Sequence, residues 1–362
     1  MTNQPFAAIK TVFSYYPKEI RELIDKLFKP YPHEVFLSGI LPDHMEELKL
    51  RDEVIPPIGG LNTFHLDIMA GFAAKHALSL PGLEGYGHRY CSAGSEEGIR
   101  EYFTELARQL IESILEKSNT KQVPVYVFDA EYEGYTAVAA SRGLKVTSVP
   151  IITDPGTLSR GILFVSNPSA RDGNFLANEL VNAWAAAGHK VFYDLSYFGS
   201  TYPHRYDLTH PNIVAVAVSY SKPYGLFYHR VGFLYSRTVV PGLEGNIWFK
   251  VVPALLIADA INRIDTTDYV AKYKRWQYEI VNRVNLEYGL SLLTSDSFLL
   301  AFTDADSIPQ FQLRLLEPYR RLNNRGEKTP HIRVCLTRWM LGRDKFTACL
   351  YDRLIARGHL LP

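Results

Sequence analysis

The chain has 362 residues, of which 47% are hydrophobic and 21% are charged, a composition typical of globular proteins. This length exceeds one ordinary core and predicts a large domain with a smaller one beside it. The formal net charge of +1 gives no electrostatic basis for binding nucleic acid or an anionic membrane, so we expect neither partner.

Cysteine usage and hydropathy predict a protein of a reducing, cytoplasmic compartment. The three cysteines, Cys91, Cys335 and Cys349, are widely spaced and form no CxxC pair, which argues against a disulfide framework or a metal site. No stretch approaches the roughly 20 uninterrupted apolar residues that cross a membrane. The first 20 residues lack the apolar segment of a signal peptide.

Prolines interrupt the helical pattern through the first 60 residues, apart from one helix predicted over 18–28. We interpret residues 1–60 as an N-terminal arm that also contributes to the small domain. From about residue 60 the chain alternates strands and helices. Helices are predicted over 95–117, 135–142 and 175–187, and strands over 123–130, 145–151, 161–168, 190–197, 213–221 and 231–236.

The strands are apolar on both faces, which is typical of a mostly parallel sheet covered by helices. We therefore predict a large α/β domain over residues 61–254. The remaining residues, 255–362, begin with a long helical stretch and continue as a mixed α+β tail, and we assign them to the small C-terminal domain.

Ligands of such sheets bind beyond the carboxyl ends of the strands, and the residues there are unusual. Lys222 directly follows the strand end Ser219-Tyr220-Ser221, and Arg230 lies eight residues further on. A lysine at a strand end is ordinarily a solvated surface residue. Its neighbours in the sequence give it a second interpretation as a functional group.

An acidic residue and a small-residue segment lie at two other element ends. Asp194 closes an apolar strand, where a buried carboxylate is costly unless it is paired. It is either a turn residue or a partner for a cationic ring nitrogen. Gly94-Ser95-Glu96 lie at the start of the helix predicted over 95–117, where free backbone N–H groups can bind an anion. An ordinary N-cap explains the same residues equally simply.

Together these segments resemble the fold-type I enzymes that depend on pyridoxal 5′-phosphate (PLP), specifically the aminotransferase class I/II superfamily. The resemblance spans roughly residues 80–340 and rests on the order and spacing of five segments. Its strongest part is Ser-x-Ser-Lys at 219–222 followed by Arg-Val-Gly at 230–232. It implies a mostly parallel seven-stranded sheet, a smaller α+β domain, PLP as the cofactor and a homodimer.

The resemblance also implies catalytic roles for three residues. Lys222 would form the Schiff base with PLP and carry the proton, Asp194 would keep the pyridine nitrogen protonated, and Tyr132 would stack on the ring. Tyr197 and Asn167 would bind the 3′ oxygen. The phosphate would be bound by Gly94, Ser95 and Glu96 through backbone N–H groups, and by Ser219, Ser221 and Arg230. Arg333 would bind the substrate α-carboxylate.

Two segments depart from the family pattern. Ala130 replaces the proline that usually stands two residues before the stacking aromatic ring. The segment Asn-Pro-Ser-Ala-Arg-Asp-Gly-Asn at 167–174 replaces the Asn-Pro-Thr-Gly turn. One register gives Asn167 the contact with the 3′ oxygen, and the other gives that position to Ala170. The distance to Asp194 favours Asn167.

The resulting functional hypothesis is a ping-pong transamination between an amino acid and a 2-oxo acid. PLP stabilises the electrons left at Cα only while its nitrogen is protonated, which Asp194 would ensure. We expect burial beside cations such as Arg230 to lower the pKa of Lys222. A PLP-dependent decarboxylase or lyase on the same scaffold is the alternative. The identity of the substrate side chain is left open.

Overall fold

The computed structural model describes residues 6, 16–28, 61–115, 123–244 and 252–341. Most of the predicted N-terminal arm, and Cys349, lie outside these residues. The described helices are α1 (Lys18–Phe28), α2 (Leu61–Lys75), α3 (Ser95–Leu115), α4 (Glu133–Ala140), α5 (Asn178–Ala186), α6 (Val252–Arg263), α7 (Thr267–Tyr288), α8 (Gln310–Leu316) and α9 (Thr337–Leu341). None of these has the length and apolar character that crossing a membrane requires.

A seven-stranded sheet organises the first two thirds of the chain. Its strands are β1 (His88–Ser92), β2 (Val125–Phe128), β3 (Val146–Val149), β4 (Ile162–Ser166), β5 (Lys190–Leu195), β6 (Ile213–Ser219) and β7 (Gly232–Ser236). They lie in the order β1-β7-β6-β5-β4-β2-β3. β7 runs antiparallel to both of its neighbours, and the other pairings are parallel. The predicted mostly parallel sheet is therefore confirmed.

Helices cover both faces of this sheet, which explains why its strands are apolar throughout. Phe103 of α3 and Tyr135 of α4 pack with Phe192 on one face. Trp184 of α5 packs with Tyr193 on the other face. Phe192 and Tyr193 are neighbours on β5, so their opposite directions follow from the two-residue repeat of a strand.

A second, antiparallel sheet lies in the C-terminal part of the chain. Its strands are β8 (Leu293–Thr294), β9 (Leu300–Asp304), β10 (Arg320–Leu322) and β11 (Lys328–Cys335), in the order β10-β11-β9-β8. Helix α7 precedes it and ends at Gly289, whose φ of 66° is the left-handed conformation that glycine adopts readily. This sheet agrees with the predicted α+β tail, while the boundaries drawn at residues 61 and 255 stay a prediction.

The register of the large sheet places the ends of several strands side by side. Ser166 pairs with Asp194 across β4 and β5, and Asp194 pairs with Ala217 of β6. Gly232 at the start of β7 pairs with both Ser219 and Ser92. The turns that follow β1, β4, β5 and β6 therefore lie at one edge of the sheet, where parallel α/β sheets bind ligands.

Candidate active site

Lys222 lies in the turn after β6, between two aromatic rings. Its Nζ is 4.4 Å from the centroid of the Tyr197 ring and 5.7 Å from that of the Tyr132 ring. Both distances are within the range of cation–π attraction. The fold thus brings together three predicted site residues that come from the turns after β2, β5 and β6.

The electrostatic surroundings of Lys222 are acidic. Burial opposes its positive charge, but Tyr197, Glu96, Asp194 and Tyr132 outweigh that effect and raise its pKa above the usual lysine value. The expectation that cations near Lys222 lower its pKa is therefore wrong for this structure. The groups that surround the ammonium are acids and phenols, so they stabilise its protonated form.

Asp194 is buried at the end of β5 and is held by neutral donors. Its Oδ1 accepts hydrogen bonds from the backbone N–H of Ser196 at 3.0 Å and from the Ser196 hydroxyl at 2.5 Å. Its Oδ2 accepts from the Tyr135 hydroxyl at 3.0 Å. Burial raises the pKa of Asp194, and the charge of Lys222 opposes that rise. The carboxylate is thereby fixed in direction and keeps acceptor capacity for a further N–H donor.

A small cradle lies where β1, β6 and β7 meet the start of α3. Gly94 has a φ of +88°, and a Cβ atom there would lie 3.5 Å from the hydroxyl oxygens of both Ser219 and Ser221. A Cβ on Gly232 would lie 2.8 Å from Cα of Gly94. Two glycines are therefore needed for this close approach of three strands. We refer to Gly94, Ser219, Ser221 and Gly232 as the glycine–serine cradle.

The glycine–serine cradle has the properties of an anion site. Helix α3 begins at Ser95, and the free N–H groups of a helix start favour an anion there. The Ser221 hydroxyl is buried and has no hydrogen-bond partner among the described residues. A buried hydroxyl without a partner is costly, and a phosphate oxygen would satisfy it. The Ser95 hydroxyl instead lies 2.6 Å from that of Ser196, which connects the cradle to Asp194.

Glu96 lies beside the cradle, whereas the described contact of the Arg230 side chain is with Phe227. The Oε2 atom of Glu96 would be 2.8 Å from a Cβ on Gly94, and among the described residues this buried oxygen has no hydrogen-bond partner. An anion in the cradle would be repelled by an ionised Glu96. Arg230 adopts a left-handed conformation, with φ of 54°, and its guanidinium carbon lies 5.2 Å from the centroid of the Phe227 ring.

The side-chain amide of Asn167 is hydrogen-bonded to Leu176 and Tyr193. Its nitrogen donates to the carbonyl of Leu176 at 3.1 Å and lies 2.5 Å from the Tyr193 hydroxyl, and its oxygen accepts from the Leu176 N–H at 3.0 Å. Tyr193 belongs to the face of the sheet opposite that of Phe192 and Tyr135. A contact between Asn167 and a 3′ oxygen stays a prediction, and it would require these bonds to break.

Arg333 reaches the site from β11 of the second sheet. It is 5% exposed, and its guanidinium donates to the carbonyl of Ala170. Burial lowers the pKa of Arg333, and the nearby Arg321 lowers it further. Arg333 and Tyr132 both line a cavity of about 780 Å³. A buried guanidinium that faces a cavity would be stabilised by a carboxylate there.

Sequence reasoning missed several residues that hold this arrangement together. Tyr135 lies three residues after Tyr132 and faces inward from α4, so helical spacing could have identified it. Ser196, two residues after Asp194, matches the pattern of an Asx turn. Glu131 and Arg321 gave no sequence signal, because their partners come from distant turns. Among the described residues, no cluster of three His, Cys, Asp or Glu side chains could hold a metal ion.

Comparisons by sequence find no relatives. No family model matches the chain, and no curated protein matches it. Comparisons by structure find many. An aminotransferase from Mycobacterium tuberculosis is 16% identical and superposes with a TM-score of 0.58, covering 93% of this chain and 86% of its own.

Two further solved structures have more specific descriptions. The aspartate aminotransferase of Thermus thermophilus with maleate is 12% identical, with a TM-score of 0.59, and covers 91% of this chain and 87% of its own. The histidinol-phosphate aminotransferase of Sinorhizobium meliloti in complex with PLP is 15% identical, with a TM-score of 0.55, and covers 92% of this chain and 87% of its own. These likenesses extend over both sheets, and the chain has the fold of the fold-type I, PLP-dependent aminotransferases.

Proposed function

We propose that the protein is a PLP-dependent aminotransferase that moves an amino group between an amino acid and a 2-oxo acid. The observation that carries the proposal is the convergence of Lys222, Tyr132, Tyr197 and Asp194 beside the glycine–serine cradle. The fold adds support, since its structural neighbours include several aminotransferases. The proposed small-molecule partners are the amino acid and the oxo acid, and we propose a homodimer as the assembly.

The residues present suit PLP. The cradle offers two serine hydroxyls, one of which has no partner within the described part of the chain, and the start of α3 for the phosphate. Arg230 lies at the same edge of the sheet, just before the start of β7. Asp194 would hold the ring nitrogen, and the Tyr132 ring would lie against the cofactor face. When bound, PLP supplies an electron sink for the bond that breaks at Cα.

Asp194 and Lys222 would divide the acid–base work. The Ser196 and Tyr135 donors fix the Asp194 carboxylate, and an anion at hydrogen-bond distance raises the pKa of a ring nitrogen. Lys222 is the amine that would remove a proton from the substrate Cα and then donate that proton to a different atom. A positioned general base of this kind contributes typically 10²–10⁴-fold to a rate.

Arg333 would bind and orient the substrate. Its planar guanidinium matches a carboxylate in shape and charge, and the cavity gives it access to one. Anchoring the α-carboxylate at Arg333 would direct the Cα–H bond toward Lys222. Correct orientation of reacting groups is among the largest contributions to enzymatic rates.

The test is a product balance on purified protein loaded with PLP. We expect a set of amino acids to change the visible absorption of the bound cofactor, with one 2-oxo acid formed per amino group transferred. Lys222→Ala should abolish turnover, whereas Lys145→Ala, at an exposed position, should leave it unchanged. Release of carbon dioxide or ammonia in place of transamination would reassign the protein to the decarboxylases or lyases.

A further inference from the structure

The carboxylate of Glu131 joins two turns of the candidate active site. Glu131 is 5% exposed. Its Oε1 accepts hydrogen bonds from the Tyr132 N–H at 2.9 Å, the Ser166 hydroxyl at 2.6 Å and the Ala170 N–H at 3.2 Å. Its Oε2 accepts from the Ser166 N–H at 3.3 Å and the Ser169 hydroxyl at 3.4 Å. One side chain thus connects the turn after β2 with the turn after β4.

Each of these turns carries a residue of the proposed machinery. Tyr132, whose N–H is bound by Glu131, has its ring 5.7 Å from Nζ of Lys222. Ala170, whose N–H donates to Glu131 at 3.2 Å and to the Glu131-bound hydroxyl of Ser166 at 2.6 Å, offers its carbonyl to Arg333. The proposed stacking ring follows a backbone N–H that bonds Oε1 of Glu131, and the proposed carboxylate clamp bonds the carbonyl of a residue whose N–H bonds the same oxygen atom.

The peptide around Glu131 is constrained from its other side as well. Arg321 donates to the carbonyl of Ala130 at 3.2 Å and to that of Glu131 at 2.9 Å. Ala130 has a φ of 66°, a left-handed conformation that is uncommon for a residue with a Cβ atom. Such a conformation persists where its surroundings over-determine it. Here those surroundings include the Arg321 guanidinium and the bonds of the adjacent Glu131.

We propose that Glu131 is a positioning residue, which sets the Tyr132 ring against the cofactor and Arg333 against the substrate carboxylate. The inference rests on the proposed function, because it assigns Tyr132 and Arg333 their roles. Glu131 would act through the two turns that its carboxylate joins. The segment 166–170 lacks the family's Asn-Pro-Thr-Gly turn, and Glu131 gives this divergent turn a fixed position.

The experiment compares Glu131→Gln and Glu131→Ala with wild-type protein and with the exposed control Glu179→Gln. We expect kcat/KM for the amino acid to fall about 10²-fold in Glu131→Ala, since a displacement of about 1 Å has that effect. KM should rise because Arg333 shifts, and the visible spectrum of bound PLP should change because Tyr132 shifts. Glu131→Gln should be intermediate, since it keeps one carbonyl acceptor.

A second measurement separates this proposal from the proposed function. Hydrogen exchange at the amides of Tyr132 and Ala170 should accelerate in Glu131→Ala, which removes the shared acceptor, and not in Glu179→Gln. Unchanged exchange at both amides would overturn the positioning role, even if wild-type protein transaminates no amino acid. If the folded Glu131 variants are active, an unchanged KM and an unchanged visible spectrum of bound PLP would also overturn the positioning role. Glu131 would then be a structural residue. If Glu131→Ala does not fold, Glu131→Leu, which fills similar space without an acceptor, replaces it and should show the same changes.

Discussion

At the scale of single residues, Glu96 is one of the groups that set the charge of the site. Its carboxylate contributes to raising the pKa of Lys222, and one of its oxygens lies beside the glycine–serine cradle. This anion opposes the attachment of PLP to Lys222, because attachment requires a neutral amine. It also opposes the binding of the PLP phosphate, because two negative charges repel each other.

Glu96→Gln should therefore attach PLP faster at a given pH. Removing the carboxylate lowers the pKa of Lys222, so its neutral form appears at lower pH. The rate of PLP attachment to apoprotein should rise with pH in both proteins and should be higher for Glu96→Gln at each pH. Stopped-flow absorbance across a pH series measures this, with Glu179→Gln as the control. Equal rates for Glu96→Gln and wild-type protein would show that Glu96 does not act on Lys222.

The order and spacing of five sequence segments singled out Lys222, Arg230 and Asp194, and their roles stay a prediction. The direction of the Lys222 pKa shift was not predictable. It depends on the combined effect of Tyr197, Glu96, Asp194 and Tyr132, which come from the ends of β2 and β5 and from the first turn of α3. The amide direction of Asn167 likewise depends on its bonds to Leu176 and Tyr193.

At the scale of elements, the start of α3 and the strand ends around Gly94 form the cradle. The predicted strand over 213–221 and helix over 95–117 correspond to β6 and α3. Strand β1 was not predicted, because His-Arg-Tyr-Cys-Ser is short and gains its strand character from antiparallel pairing with β7. The cradle could not be derived from sequence, since it requires Gly94 and Gly232 to meet across that pairing.

Gly94→Ala should weaken PLP binding on the order of tenfold, because the methyl group would lie among the Glu96, Ser219 and Ser221 oxygens. Gly143→Ala is a matched control. Gly143 also has a positive φ, of +71°, but a Cβ there would meet no atom within 4 Å. Each substitution should cost about 1–2 kcal/mol of unfolding free energy from the left-handed conformation. PLP titration and thermal unfolding measure the two effects, and equal PLP affinity in both variants would exclude the cradle as the phosphate site.

At the scale of the whole molecule, the site depends on contact between the two sheets. Arg333 belongs to β11, while Ala170 and Lys222 belong to turns of the large sheet. The turn between β10 and β11 is tied to β3, since Asn324 donates to the Val146 carbonyl at 2.6 Å and to the Ser148 hydroxyl at 3.1 Å. Composition and periodicity predicted two units, but the bonds that set their relative position appear only in the structure.

The central claim is that Lys222 is the residue that binds PLP covalently. The most direct test is to load the protein with PLP, reduce it with borohydride, and map the modified peptide by mass spectrometry. We expect a single pyridoxyl group on Lys222, and no labelling of Lys222→Ala. A label spread over exposed lysines such as Lys145, or placed on another single lysine, would contradict the account.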